Sequence, residues 1–276
     1  MMETRKKLII GSTSQIAKIL PDSEFKKVNS RIFSHSDIDG EWDLAILAFG
    51  ENRKNLEPYE IYKKINVDLT FETLDFLKSR CSRIIVFSTC ELWNKHFGGI
   101  DLETPMDFYE TNYTRSKFEM TRRILDSKEQ YPNVVILYPF NFNSTKRSKD
   151  FLFGKIFSSI INKEKIVIGD TYYYRDIFHP NFIIEEILNS RDHRIIGSGR
   201  LTFVNDFIRD LFKMYNLSYD ELVQENLESF KEYEIKYEYY LKSKLPLYPY
   251  SRLIEDTSRD INEKINEKEN STNKEN

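Results

Sequence analysis

The chain has 276 residues, 40% hydrophobic and 31% charged, a composition that predicts one or two globular domains with an apolar core. Lysine plus arginine (41) nearly balances aspartate plus glutamate (44), so no excess of one charge indicates a nucleic-acid or anionic-membrane partner. The two cysteines, Cys81 and Cys90, exclude a disulfide framework and are typical of a reducing compartment.

The chain shows no targeting or membrane-spanning pattern. The opening residues, MMETRKK, lead straight into a strand-like run, and no stretch is long and apolar enough to span a bilayer. The sequence therefore predicts a cytoplasmic protein, and none of its motifs indicates a metal site.

Short apolar runs rich in β-type residues alternate with helical patterns in the first half of the chain. They are KLIIG at 7–11, FKKVNSR at 25–31, DLAILAFG at 43–50, RIIVFST at 83–89 and NVVILYPF at 133–140. Strands separated by helices predict an α/β fold, a doubly wound parallel sheet with helices on both faces.

The first strand leads into IIGSTSQIAKIL, where Gly11 has the position of the first glycine of a dinucleotide-binding loop. A glycine turn here lets the backbone approach a pyrophosphate at the N-terminus of the following helix. Ser14 and Ala17 stand where two further glycines are usual, so an ordinary strand–helix turn is an equal alternative. Both residues are small, and the loop is therefore still able to close on a cofactor.

The second strand is followed by Asn29, Ser30 and Arg31, with no acidic residue among them. NAD-specific domains place a carboxylate here against the adenosine ribose, whereas an arginine accommodates the 2′-phosphate of NADP. The sequence therefore favours NADP(H) and leaves NAD(H) open. The alternative is that Arg31 is a surface arginine.

The segment YEIYKKINVDLTFETLDFLKS has apolar residues at helical spacing and predicts a helix between the strands. We expect its stripe to pack in the core; its residues are Ile61, Ile65, Leu69, Leu74 and Leu77.

Two further motifs carry residues suited to proton transfer. The strand at 83–89 ends in Ser88 and Thr89, at the sheet edge where open α/β proteins bind ligands. FYETNYTRSKFEMTRRIL, at 108–125, predicts a helix with Tyr113 and Lys117 stacked at i and i+4. A lysine ammonium favours a phenolate, so this tyrosine would exchange protons near neutral pH. A lone Tyr-x-x-x-Lys pair is more often a solvated helix face.

From about Asn141 the pattern changes to a helix around Phe151–Asn162, a short strand KIVIG, the loop DTYYYRDIFHP and further helices. We therefore expect a cofactor-binding domain at 1–140 and a smaller lobe at 141–250, with some elements returning to the sheet. The polar tail at 251–276 predicts a frayed helix or disorder.

The glycine turn, the strand-end Ser-Thr and the Tyr-x-x-x-Lys pair occur in a fixed order. In this order and spacing the chain resembles the extended short-chain dehydrogenase/reductase family, specifically its nucleotide-sugar epimerases, dehydratases and ketoreductases, over roughly residues 6–215. Further segments of the resemblance are NVDLTFETLDFLK, STCELW, LYPFNF, YYYRDIFHPNFIIEEI and IIGSGRLTFVNDFIRDLF. It implies a Rossmann-type sheet with a smaller C-terminal substrate-binding lobe.

The resemblance also implies roles for individual residues. Thr89 takes the catalytic Ser/Thr position, Asn66 that of a structural asparagine, and Arg175 that of a ligand for the nucleotide diphosphate. Tyr138 replaces an arginine, and Asn141 is retained. The implied set is catalytic Thr89, Tyr113 and Lys117; cofactor-binding Gly11, Thr13, Ser14, Gln15, Ile16, Arg31, Ala48, Phe49, Asn66, Lys117 and Tyr138; and substrate-binding Cys90, Glu91, Asn141 and Arg175.

Departures from the family narrow the implied reaction. Dehydratases use an Asp-Glu pair after the threonine, and here the pair is Cys90-Glu91, so full dehydration is not expected. Enzymes that epimerise and then reduce a 4-keto sugar carry a cysteine near this point with a distant histidine. Cys90 matches that cysteine only loosely, and a structural role as a small buried residue is slightly favoured over a catalytic one. The stretch FNSTKRSKDFLF after Asn141 contains no histidine. For Arg175, the alternative to binding the nucleotide diphosphate is a local ion pair with Asp176.

The expected function is therefore NAD(P)-dependent reduction of a 4-keto nucleotide sugar, in the synthesis of sugars for bacterial surface polysaccharides. The alternatives are a C4 epimerase that keeps NAD tightly bound, and a non-catalytic nucleotide-sugar or cofactor-binding protein, which the altered loop at Ser14 and Ala17 suggests. The expected partner is a nucleotide-diphosphate sugar. A homodimer through the helices at 59–79 and 109–127 is implied by resemblance alone.

Overall fold

The computed structural model describes residues 6–53, 57–226 and 238–275. The parts of the predicted domains and tail at 1–5, 54–56, 227–237 and 276 lie outside the described residues. Contact clustering divides the chain into two compact units. The first comprises Met1–Lys95, Leu102–Pro139 and Ile183–Ile196, and the second comprises His96–Asp101, Phe140–Phe182 and Gly197–Asn276.

The strands of the described chain are β1 (Lys7–Ile10), β2 (Phe25–Val28), β3 (Leu44–Leu47), β4 (Ile84–Phe87), β5 (Gly98–Ile100), β6 (Val134–Pro139), β7 (Asn141–Phe142), β8 (Ile166–Ile168), β9 (Tyr174–Arg175), β10 (Ile177–Phe178), β11 (Arg194–Ile196), β12 (Thr202–Phe203), β13 (Val223–Glu225) and β14 (Tyr239–Leu241). The α-helices are α1 (Gln15–Ile19), α2 (Tyr59–Tyr62), α3 (Leu69–Leu77), α4 (Asn112–Asp126), α5 (Leu152–Asn162), α6 (Pro180–Asn189), α7 (Val204–Met214), α8 (Tyr219–Leu222) and α9 (Tyr250–Glu275). A π-helical segment, Lys63–Asp68, joins α2 to α3, and 3₁₀-helices lie at His35–Asp37 and Cys90–Trp93.

The first unit is built on a six-stranded parallel sheet in the order β11-β6-β4-β3-β1-β2. All four residues of β3 are buried, as expected for a central strand covered on both faces. Because chain-successive strands lie on opposite sides of β1, the strand order reverses between β1 and β3. In open α/β sheets ligands bind at such a switch point, beyond the carboxyl ends of the strands. The predicted doubly wound α/β fold is confirmed.

The buried face of the helix after β3 differs from the predicted stripe. Ile61, Ile65 and Leu69 are only half-buried, whereas Tyr62 and Asn66 are buried. The π-helical turn between α2 and α3 holds more residues than an α-turn, so it changes which face of the helix is buried. The stripe was therefore wrong in its first half and correct at Leu74 and Leu77, which are buried.

The second unit is assembled from short strand pairs and helices. Its pairs are β5 with β14, β7 with β10, β8 with β13, and antiparallel β9 with β12. Buried Asp176, between β9 and β10, accepts hydrogen bonds from the backbone N–H groups of Ser198 (2.6 Å), Gly199 (3.3 Å) and Leu241 (3.1 Å). One carboxylate therefore fastens three chain segments together. Burial raises the pKa of Asp176 to about 6, although these three donors favour its charged form.

The polar C-terminal segment is a continuous helix, α9, where the sequence predicts fraying or disorder. Leu253 and Ile261 are fully buried on it, and Asp260 pairs with buried His179 at 3.1 Å. Its inner face also buries polar residues such as Thr257 and Asp256, which a hydrophobic pattern does not reveal. Among the residues described, no helix combines the length and apolar composition needed to cross a bilayer.

Candidate cofactor and catalytic site

The turn after β1 requires a glycine. Gly11 has φ of +110°, and a Cβ there would lie 2.6 Å from the carbonyl oxygen of Ala48. The N–H of Gly11 donates to Val28 O at 2.8 Å, so this backbone touches the ends of both neighbouring strands. A side chain would therefore separate β1 from β3 at the switch point of the sheet.

Ser14 and Ala17, the two departures from the glycine pattern, have local roles in α1. The hydroxyl of Ser14 caps the helix by accepting from Ala17 N at 3.2 Å, and Ala17 is completely buried. Thr13 is exposed in the turn, whereas the side chains of Gln15 and Ile16 are buried. Glycine is thus not needed at 14 or 17 for this turn to form.

The turn after β2 presents Arg31 to solvent. Its N–H donates to the side-chain oxygen of Asn29 at 3.0 Å, which shapes the turn locally. Ile32 beside it is 81% exposed. Asn29, Ser30 and Arg31 place no carboxylate in this turn.

The end of β4 carries the two hydroxyl residues in different environments. Ser88 Oγ is 2.8 Å from Thr121 Oγ1 on α4 and is buried. Thr89 begins the next 3₁₀-helix, where its hydroxyl accepts from Glu91 N at 3.2 Å and keeps its own proton for donation. Cys90 is buried and Glu91 is half-buried. Helix α4 contacts this 3₁₀-helix, so Thr89 and α4 lie at the same end of the sheet.

Helix α4 begins one residue before Tyr113. The hydroxyl of Thr111 caps it by accepting from Thr114 N at 3.1 Å, and the hydroxyl of Thr114 accepts from Thr111 N at 2.9 Å. Tyr113 therefore lies in the first turn, half-buried, and Lys117 follows one turn later. The sequence correctly predicts that both residues lie in one helix, one turn apart, although the helix starts later than the motif at 108–125 indicates.

Lys117 is buried, with 6% of its surface exposed, and its Nζ donates to Phe87 O at the end of β4 at 2.8 Å. Within the described part of the chain this carbonyl is its one hydrogen-bond acceptor, although an ammonium has three N–H groups to donate. Burial lowers the pKa of Lys117 to about 8. The amino group is thus placed at the sheet edge with most of its donor capacity unused.

The segment after β3 lies next to this lysine. A Cβ on Gly50 would be 3.4 Å from Lys117 Nζ and 3.2 Å from Asn66 Oδ1. The side chain of Asn66 accepts from Glu51 N at 2.7 Å and donates to Glu51 O at 3.0 Å. These two bonds from Asn66 fix the Gly50–Glu51 backbone. Asn66 lies in the π-helical segment, and such segments are often found at functional sites.

Three residues beside Lys117 and Asn66 are not among those that the sequence motifs predict: Gly50, Glu51 and Ser116. Glycine after a strand at the switch point was a usable signal for Gly50. Ser116 bonds to Asn66 Nδ2 at 2.9 Å and shows no sequence pattern of its own, since only the fold brings these two helices together.

The remaining predicted residues lie further along the chain. Tyr138 is buried in β6 with its ring edge-on to Trp93, the centroids being 5.3 Å apart. In the second unit Asn141 is exposed in β7, and Arg175 stacks over Tyr173 with its guanidinium carbon 4.3 Å from the ring centroid. Nη1 of Arg175 also donates to Tyr174 O at 2.8 Å.

No protein-family model matches the chain, and no curated protein matches it. Solved structures do match. A UDP-N-acetylglucosamine 4-epimerase from Methanobrevibacter ruminantium, in complex with UDP-N-acetylmuramic acid, has a TM-score of 0.74 at 13% identity, with 94% of this chain and 98% of that chain covered.

Two other structures show the same likeness. A variant of UDP-glucuronic acid 4-epimerase from Bacillus cereus, with a fluorinated UDP-sugar and NAD, has a TM-score of 0.73 at 14% identity, covering 94% of this chain and 99% of that one. RMD from Pseudomonas aeruginosa, complexed with NADPH, has a TM-score of 0.73 at 13% identity and coverages of 93% and 99%. At these identities the likeness shows the fold, and the chain has the fold of the extended short-chain dehydrogenase/reductases that its motifs resemble.

Proposed function

We propose that the protein is an NAD(P)-dependent oxidoreductase of nucleotide sugars, and specifically a reductase of 4-keto sugar nucleotides. The observation that carries the proposal is the buried amino group of Lys117 at the end of β4. It has a single acceptor among the described residues and lies one helical turn from Tyr113. Burying a lysine ammonium with too few acceptors lowers stability, and ionisable groups buried in this way are often found at functional sites. Ribose hydroxyls of a nicotinamide cofactor would supply the acceptors that it lacks.

The residues around Lys117 fit such a cofactor. Gly50 has no side chain to cover the amino group, and Gly11 allows a close backbone turn at the end of β1. The exposed Arg31 and the absence of an acid beside it favour NADP(H) over NAD(H). The other proposed cofactor contacts are Thr13, Ser14, Gln15, Ile16, Ala48, Phe49, Asn66 and Tyr138.

The bound nicotinamide would supply hydride to carbon C4 of the sugar. The chain's own residues would move and hold the proton. Tyr113 would donate its phenolic proton to the C4 oxygen as that oxygen gains charge. The nearby ammonium of Lys117 would stabilise the phenolate that remains, and Thr89, whose hydroxyl proton is available, would orient the same oxygen.

The proposed substrate is a nucleotide-diphosphate sugar. Arg175 offers a planar guanidinium, which matches the oxygens of a phosphate better than a lysine does. Asn141, Cys90 and Glu91 are the further proposed contacts. Because Cys90 replaces the acid of the dehydratase pair, we do not propose dehydration.

A C4 epimerase with a retained NAD is the second candidate. Two of the solved structures that share this fold are 4-epimerases of UDP-sugars. The same three residues would serve both reactions, because each moves a proton on the C4 oxygen and a hydride on C4.

The test is incubation of the purified protein with NADPH and a panel of 4-keto-6-deoxy and 4-keto-heptose nucleotides, followed by the nicotinamide absorbance. We expect consumption with at least one of them. Interconversion of a fully hydroxylated UDP-sugar without net consumption would identify the epimerase. Failure of both reactions, with no NAD or NADP found by mass spectrometry or bound in calorimetry, would leave the non-catalytic alternative.

The first prediction concerns Tyr113. Tyr113→Phe removes the proton donor and keeps the ring, so we expect turnover to fall by about 100-fold or more, with cofactor affinity nearly unchanged. Tyr109→Phe is the matched control, because Tyr109 lies just before the helix and is 45% exposed. Equal turnover in the parent and Tyr113→Phe would contradict the catalytic role.

A further inference from the structure

The hydroxyl of Ser116 lies at the centre of a buried hydrogen-bond chain. Ser116 Oγ donates to the carbonyl oxygen of Tyr113 at 2.7 Å and is 2.9 Å from Asn66 Nδ2. Ser116 is 0% exposed and Asn66 1% exposed, so water does not compete for these bonds. The chain joins the first turn of α4 to the π-helical segment.

One proton arrangement satisfies every group in this chain. The side-chain oxygen of Asn66 accepts from Glu51 N at 2.7 Å, and turning the carboxamide over would place its NH₂ group against that N–H. Nδ2 therefore faces Ser116, whose oxygen must accept. The single proton of Ser116 is then directed to the Tyr113 carbonyl, so the order of donors and acceptors is fixed.

The other end of this hydrogen-bond chain is the Gly50–Glu51 segment beside Lys117. Both backbone polar groups of Glu51 are bound by Asn66, and a Cβ added to Gly50 beside it would lie 3.4 Å from Lys117 Nζ. A second hydrogen bond holds the same segment, since the hydroxyl of Tyr62 donates to Arg53 O. The segment that borders Lys117 is thus fixed relative to the helix that carries Ser116.

We infer that Ser116 is a positioning residue. Its hydroxyl sets the backbone of Tyr113 in register with the Gly50–Glu51 segment, and so fixes the proton donor relative to the backbone around Lys117. This inference rests on the proposed function. It adds that the geometry depends on a hydroxyl that contacts neither substrate nor cofactor.

Thr121 provides a matched control on the same helix. It is also 0% exposed, and its hydroxyl pairs with Ser88 Oγ at 2.8 Å. Thr121→Val removes a buried hydroxyl bond without touching the chain through Asn66. A purely structural contribution of Ser116 would therefore resemble that of Thr121.

The experiment compares the parent, Ser116→Ala and Thr121→Val by amide hydrogen exchange of the full chain without cofactor, and by NADPH binding and turnover. In Ser116→Ala the Asn66 amide loses an acceptor, so we expect exchange at Glu51 and in the first turn of α4 to quicken by about tenfold. We expect a comparable, about tenfold loss of kcat from the displaced donor. Thr121→Val should leave exchange at Glu51 and kcat as in the parent.

Unchanged exchange at Glu51 in Ser116→Ala, or equal effects in the two variants, would overturn the inference. If Ser116→Ala does not fold, Ser116→Cys replaces it, because a thiol fills the site with a slightly larger group that is only a weak donor and acceptor. Ser116→Cys with the parent's exchange and kcat would also overturn it. A parent that binds no NAD or NADP refutes the proposed function instead, and the exchange comparison still decides whether the coupling exists.

Discussion

Burying the amino group of Lys117 lowers the free energy of unfolding, and the size of this loss can be measured. Burial lowers the pKa of Lys117 from 10.5 to about 8. The folded chain therefore binds fewer protons than the unfolded chain between these pH values, and this group adds to stability as the pH rises through that window. At lower pH the charge is buried with one acceptor from the described residues, which is a net cost.

We therefore expect Lys117→Met to raise the free energy of unfolding near neutral pH by about 1–3 kcal/mol while turnover is lost. The gain should shrink above about pH 8, where the parent's lysine loses its proton. Urea unfolding on both sides of that pH measures it, with exposed Lys128→Met as the control. A variant less stable than the parent would show that this charge is well compensated.

Among the elements, the turn after β11 depends on one carboxylate. Both oxygens of Asp176 accept backbone N–H bonds, and a Cβ on Gly197 would be 2.6 Å from Oδ2. The turn and β14 are thus fitted around this group. Its raised pKa reflects the burial that such a junction demands.

Asp176→Asn replaces one accepting oxygen by an NH₂ group, which then faces backbone donors. We expect the free energy of unfolding to fall by at least about 2 kcal/mol. Denaturant unfolding gives the value, and exposed Asp206→Asn controls for the loss of a charge. A change below about 0.5 kcal/mol, the usual size at surface positions, would mean that the junction forms without the carboxylate.

At the scale of the whole molecule, α9 is polar in composition, yet it contributes buried residues to the second unit. We expect a chain that ends at Pro249 to lose the cooperative unfolding of the second unit, because it lacks buried Leu253 and Ile261 and the Asp260 partner of His179. A chain that ends at Ser271 keeps these groups and should melt as the full chain does. Calorimetry of both chains tests this, and equal melting would mean that α9 is dispensable.

Strand positions in the sheet were predictable because central parallel strands need continuous apolar runs, as at Leu44–Leu47. The relative placement of Tyr113 and Lys117 was predictable from helical spacing. The sequence did not predict the face of the helix after β3, since a π-turn is invisible to a period of 3.6 residues. For the C-terminal segment it predicted a frayed helix or disorder and missed that α9 is continuous and packed, because polar residues occupy much of its buried face.

The π-helical segment has a consequence for how this chain tolerates length changes. The hydroxyl of Tyr62 donates to the Arg53 carbonyl, and the carboxamide of Asn66, four positions later and inside this segment, binds the Glu51 backbone. Deleting one residue between Tyr62 and Asn66 would bring Asn66 one position closer to Tyr62 and shorten their separation along the axis by about 1.5 Å. A gap of one residue between 62 and 66 would therefore loosen the attachment of this helix to the strand end, whereas a substitution at exposed Lys64 would leave both anchors in place.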